Sequence, residues 1–223
     1  MEALRARSAS ARNADATARG PRAVDPRAID RTLLAAFRWL DEAIAHLDVI
    51  RPVVAHRFAL AGVLTIASPR YDRGFASYRR GAFAGLDLIE RVELGYRMTR
   101  DEPIRVEVPP LAAAAMEERL RSAQLDFQYR IETDGGRTRR GVFTVAQAVM
   151  AAIRLVPDYD RGLVTAALRN VDRLEPVTLE FASAALDEPA LEDLVRLILG
   201  EESGFLRRAP LAGIGARAVA SPS

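Results

Sequence analysis

The 223-residue sequence has no cysteine and no lysine, only two histidines, one tryptophan, and 6% aromatic residues. Without cysteine there is no thiol catalysis, no thiolate-bound zinc, no iron–sulfur cluster and no disulfide scaffold. His46 and His56 stand too far apart for a His-x-x-x-His metal pair, and Glu42 with His46 reads as an exposed helix pair. Neither a Gly-x-Ser-x-Gly elbow nor a phosphate-binding Walker loop occurs. Gly213-Ile214-Gly215-Ala216-Arg217-Ala218 matches a dinucleotide fingerprint only as a string, because no strand is expected before it and no room for a helix follows. No metal and no cofactor is therefore expected. Long apolar runs are missing as well: the longest charge-free stretch, Gly141 to Ile153, is far short of the roughly 20 residues of a spanning helix. No membrane segment or secretory leader is expected, and a cytoplasmic protein is.

All 32 basic residues are arginine, against 30 acidic ones, for a formal net charge of +2. The isoelectric point of about 9.4 overstates this excess, since arginine holds its proton to very high pH and the titration curve is flat. Five arginines and two acids place +3 on residues 1–24, so the rest of the chain sums to −1. Arginine abundance is then no argument for nucleic acid, and only local clustering counts.

Residues 1–24 show no apolar periodicity and are expected to form a disordered tail, with a second tail at 207–223 flanking a single domain over 25–206. Asp25-Pro26 opens the first element with an N-cap followed by proline. Leu33, Phe37, Leu40, Ile44 and Leu47 then recur at spacings of 4, 3, 4 and 3. This seam fits either an amphipathic helix lying on its own sheet or a helix pairing with its copy in a homodimer. The period then changes to that of strands, expected at Phe58 to Ile66, Leu86 to Met98, Ile104 to Val108, Leu125 to Glu132 and Arg137 to Val145. Asp134-Gly135-Gly136 supplies the turn between the last two. Pro109-Pro110 precedes an alanine-rich helix from Leu111 to about Ala123. Further strands are expected at Val149 to Val156, Leu163 to Val171 and Val177 to Phe181, although 145–153 fits a helix equally well. Asp187-Glu188-Pro189 and Gly200 bracket a C-terminal helix. Strands in runs, without alternating helices, imply an α+β fold: a mostly antiparallel sheet of six to eight strands with N-terminal, mid-chain and C-terminal helices.

One hexapeptide pattern occurs twice. Pro69-Arg70-Tyr71-Asp72-Arg73-Gly74 and Pro157-Asp158-Tyr159-Asp160-Arg161-Gly162 share Pro-x-Tyr-Asp-Arg-Gly. Proline, aspartate and glycine build such a segment as a turn between antiparallel strands. A functional use places both sets at one end of the sheet, where arginine forks grip phosphate or carboxylate. The first copy leads into an arginine-rich segment, expected to be a loop, with Arg70, Arg73, Arg79 and Arg80 beside Tyr71, Phe75 and Tyr78. Arginines among aromatic rings suit phosphates and stacked bases. Arg137, Arg139 and Arg140 form a second basic cluster. Arg79-Arg80-Gly81 is similar to the arginine-rich segment of PilZ-type cyclic-dinucleotide receptors, but their companion Asp/Asn-x-Ser-x-x-Gly segment is absent, and no family is assigned on it.

The sequence is accordingly read as a non-enzymatic binding or scaffold protein. It is expected to self-associate through Leu33, Phe37, Leu40, Ile44 and Leu47, and to present Arg70, Tyr71, Arg73, Tyr78, Arg79, Arg80, Tyr159 and Arg161 to nucleic acid or a phosphate-bearing ligand. The alternative is an enzyme or small-ligand receptor whose pocket joins the two Pro-x-Tyr-Asp-Arg-Gly segments.

Overall fold

Helix α1, Pro26–Ile50, begins where Asp25 accepts a hydrogen bond from the Arg27 amide (3.0 Å) and ends where Arg51 turns left-handed and donates to the Leu47 carbonyl. The computed structural model describes residues 24–60, 62–134 and 138–208; the first tail up to residue 23, the second from residue 209, Gly135, Gly136 and Arg137, and the Gly213 string lie outside them. Ile29, Leu33, Ala36, Leu40, Ile44 and Leu47 of α1 are buried. They are buried by this chain: α1 lies across strands β3 (Arg70–Phe83) and β4 (Leu86–Thr99) and beside the C-terminal helix α3 (Glu188–Leu199). The seam proposed for a dimer is thus covered by its own sheet, with Phe37 packed half-buried at its margin. Each such leucine contributes roughly 1.5–3 kcal/mol by leaving water, so withdrawing the helix to meet a copy would expose what the fold is built on.

Two short strands, β1 (Arg57–Leu60) and β2 (Leu64–Ala67), form a hairpin where one strand was expected. β5 (Ile104–Val108) is followed by a 3-10 turn at Pro110–Ala112 and helix α2 (Ala113–Ser122). β6 (Phe127–Asp134) and β7 (Thr138–Val145) pair antiparallel across the expected turn, and β5 joins the other edge of β7. β8 (Ala148–Asp158), β9 (Leu163–Arg169) and β10 (Pro176–Ala182) complete the set, so residues 148–153 are strand and not helix. The order β10-β9-β8-β4-β3 makes a five-stranded sheet, β5-β7-β6 a three-stranded one, and every pairing is antiparallel. The fold is α+β, as the run of strands required. α3 is held by Asp187, which accepts from the Ala190 amide at 3.0 Å, and by Gly200 at φ 74°. No helix among the described residues is long and apolar enough to cross a membrane.

The one element the sequence conceals is β3. Residues 70–80, expected as a loop, belong to the 14-residue edge strand of the large sheet. Its pattern is unlike that of a half-buried strand because α1 lies close over it. A Cβ on Gly74 would stand 3.2 Å from the Ile44 side chain and 2.3 Å from the Tyr71 hydroxyl, so the covered face carries glycine and alanine where apolar bulk was looked for.

Both ends of the described residues are tied to the rest of the fold. Val24 packs against Gly162, and Arg208 pairs with the buried Asp193 of α3.

Candidate functional site

Two β-bulges in the β3–β4 pair decide which side chains face solvent. One lies between Tyr71 and Arg73, where Asp72 is the extra residue; the other leaves Glu90 extra, between the pairs Arg79↔Arg91 and Arg80↔Ile89. Side chains alternate faces along a strand, so an inserted residue flips everything beyond it. Tyr71 therefore enters the core and Arg73 does not. Two aspartates of α1 hold these irregular points. Asp48 Oδ1 accepts from the Gly74 amide at 2.9 Å and the Tyr71 hydroxyl at 3.0 Å, and Asp30 Oδ1 accepts from the Ile89 amide at 2.7 Å. Eighteen residues at about 3.6 per turn make five whole turns, so both carboxylates lie on one line of the helix. Neither aspartate is among the residues expected from the sequence, although their spacing is visible there.

The eight predicted site residues do not converge. Tyr71 is fully buried and stacks on Tyr96, with centroids 6.0 Å apart; burial first, then the Asp48 hydrogen bond, drives its ionisation far above the usual range. Tyr159 is buried, donates to the Ile89 carbonyl at 2.8 Å, and is pushed up to about 12 by burial. Tyr78 leans on Phe37 at 4.7 Å on the α1 side. Arg80 pairs with Asp87 at 2.8 Å and Asp30 at 3.7 Å, Arg79 with Glu90 at 3.1 Å, and Arg161 with Asp158 and Glu180 at 3.6 and 3.4 Å. Arg70 donates to the Arg51 carbonyl. The two hexapeptides lie at opposite ends of the sheet: Tyr71 is opposite Met98 on β4, whereas the Tyr159 hydroxyl reaches Ile89. A pocket shared between them has no geometric basis. Arg139 and Arg140 are the second and third residues of β7, where Arg140 bridges to Glu107 at 3.0 Å, and Arg137 is outside the described residues.

Of that set, Arg73 alone is exposed with no partner among the described residues. The inward face of the five-stranded sheet is apolar and covered by α1, while the outward face carries exposed Arg73, Phe75, Met150, Ala152, Arg154 and Arg169. Cross-strand register puts Phe75, Gly95, Ala152 and Arg169 in one row, and Arg73, Arg97 and Met150 in the next. Charge on this face is segregated. Towards the Tyr159 end, Glu90, Glu93 and Glu180 neutralise Arg79, Arg91, Arg154 and Arg161. Towards the Tyr71 end, Arg97 meets Asp72 at 3.6 Å, and no carboxylate of the described residues forms an ion pair with Arg73 or Arg169. Arg73, Phe75, Gly95, Arg97, Asp126 and Met150 border a shallow hollow there. Only Arg73 of these is a site residue expected from the sequence; Arg97 and Arg169 are 24 and 96 positions downstream and only the register joins them.

Among the described residues no three metal-ligating side chains gather. His46 and Glu42 form the exposed helix pair expected, 4.0 Å apart, and His56 Nε2 lies 2.6 Å from the Leu197 carbonyl oxygen. No protein-family model, no curated protein and no solved structure matches this chain.

Proposed function

We propose that the chain is a binding protein whose uncovered sheet face takes an anionic, phosphate-bearing partner between Arg73, Arg97 and Arg169. The observation that carries this reading is the arrangement of charge on that face: three arginines on three strands, of which only Arg97 is in an ion pair, with Asp126 at the rim of the hollow forming no ion pair among the described residues. Guanidinium groups that already serve a carboxylate add little to a phosphate; those on the other half of the face are so engaged, as is Arg97 through Asp72, so Arg73 and Arg169 carry most of the attraction. Unpaired arginines fixed on strands keep their forks available for bidentate contact at little entropic cost. Nothing in the hollow supplies a nucleophile with its base, so binding and not turnover is the reading. Self-association through α1 is no part of it, since that seam is internal.

Retention on a heparin or phosphocellulose column tests this. The wild type should be retained at low salt and elute early as salt rises. Arg73→Ala with Arg97→Ala and Arg169→Ala should flatten the log–log salt dependence by about 2, at roughly 0.7–0.9 for each phosphate no longer neutralised. Identical elution of wild type and triple variant would remove the proposal.

A further inference from the structure

Phe75 lies on the sheet in a way that plain anion binding does not require. Its ring leans across the strand onto Gly95, where an added Cβ would stand 2.5 Å from Cε1 and 2.7 Å from Cζ. Only glycine opposite permits this pose. Phe75 nevertheless stays 58% exposed, so the face of the ring turned away from Gly95 meets water. The next position in the row is Ala152 and the one beyond is Arg169. Ala152 thus floors the gap of about 10 Å between Gly95, where the ring is seated, and Arg169, at about 4.8 Å per strand. Arg73 lies two residues from Phe75, about 7 Å along β3, and Arg97 stands directly beside Arg73. A flat apolar platform, a shallow floor and cations on both sides are what a nucleobase and its flanking phosphates need together.

We infer that the Phe75–Gly95 platform binds single-stranded nucleic acid, stacking one base on the exposed ring while Arg73, Arg97 and Arg169 hold the neighbouring phosphates. This rests on the anionic-partner reading above and narrows it to a ligand with both a π-face and a phosphate backbone. A duplex hides its base faces and would meet only the arginines. An aromatic ring laid over a cross-strand glycine also shields the backbone, but that role is indifferent to ligands, and this separates the two.

Fluorescence anisotropy with the full chain and three labelled probes decides it: a 20-nucleotide oligodeoxythymidine, a 20-unit abasic strand with the same phosphates, and a 20-base-pair duplex. Stacking of one base corresponds to about 5- to 150-fold in affinity. The oligodeoxythymidine should therefore bind at least about fivefold more tightly than the abasic strand, and more tightly than the duplex. Phe75→Leu should abolish the difference between thymidine and abasic strands, and Phe75→Tyr should keep it. Gly95→Ala, which adds the methyl that evicts the ring and leaves every charge in place, should also abolish it; circular dichroism checks that each variant is folded. Equal binding of thymidine and abasic strands overturns the stacking proposal and leaves the anionic-partner reading standing. Tighter binding of the duplex overturns it too, and failure of all three probes removes both readings.

Discussion

Asp48→Ala is the substitution whose cost can be worked most directly from the structure. One carboxylate oxygen accepts two bonds at the first β-bulge, from the Tyr71 hydroxyl and the Gly74 amide. Tyr71 is wholly inaccessible to solvent, and no other hydrogen-bond partner of its hydroxyl is present among the described residues. Removing the acceptor strands a buried donor, which costs about 1–3 kcal/mol, and the Gly74 amide adds a comparable but partly solvated loss. We expect a total of about 2–4 kcal/mol. In urea, at an m-value of about 2 kcal/mol per molar, the midpoint falls by about 1–2 M. Asp48→Asn keeps an acceptor without the charge and should lose about 1 kcal/mol. Tyr71→Phe removes the hydroxyl itself, so the double variant Asp48→Ala with Tyr71→Phe should be less destabilised than the sum of the two, by about 1–2 kcal/mol of coupling. A change below about 0.5 kcal/mol for Asp48→Ala, or strict additivity with Tyr71→Phe, refutes the assignment of Asp48 as the clasp of the bulge.

Two further outcomes follow from the packing. Leu40 is 1% exposed beneath the sheet, and an aspartate there carries a desolvation cost on top of the roughly 2–5 kcal/mol of a leucine truncation; Leu40→Asp should abolish the far-ultraviolet and near-ultraviolet dichroism of the fold, whereas a folded monomer would show that α1 packs against a second copy after all. Tyr159 is held neutral, pushed up to about 12 from 10.0, so the folded chain keeps a proton that the unfolded chain loses. Its stabilising contribution is complete below about pH 10 and is lost as pH rises from 10 to 12. Tyr71 and Tyr96 act in the same direction. Phenolate absorbance should therefore show a late phase that coincides with unfolding, and Tyr159→Phe should reduce the alkaline loss of stability; reversible ionisation of all five tyrosines without unfolding would contradict the burial of these three.

Much of this molecule is readable without coordinates. Asp25, Pro26, Asp187, Pro189 and Gly200 mark helix ends because a cap satisfies amides within its own turn. Strands β4 and β5 declare themselves because alternate residues such as Val92, Leu94, Tyr96, Met98 and Val106 face the core and period-2 alternation is a local property, whereas β6 alternates in sequence yet leaves Tyr129 39% and Ile131 54% exposed. Asn170 shows where such reading stops. It is left-handed at φ 54° and buried, and its amide donates to the Ala123 and Met150 carbonyls, tying the end of α2 to β8. Nothing around it in the chain announces partners 47 and 20 residues away.

The arginine-rich stretch divides the same way. Its composition, rings beside cations, is a fact of the sequence, and it singles out this segment without revealing that it is a strand. Local chemistry alone determined where helices begin and end, which residues alternate, and that the class is α+β. Tertiary structure decided that 70–83 is a strand, that the repeated hexapeptides part to opposite ends, and that Arg73 meets Arg97 and Arg169 on one face while Tyr71 vanishes into the core. The physical reason for the last of these is the single extra residue at Asp72. A strand has two faces, one inserted residue exchanges them, and the hydrogen bonds that hold this point come from Asp48 of α1, distant in sequence.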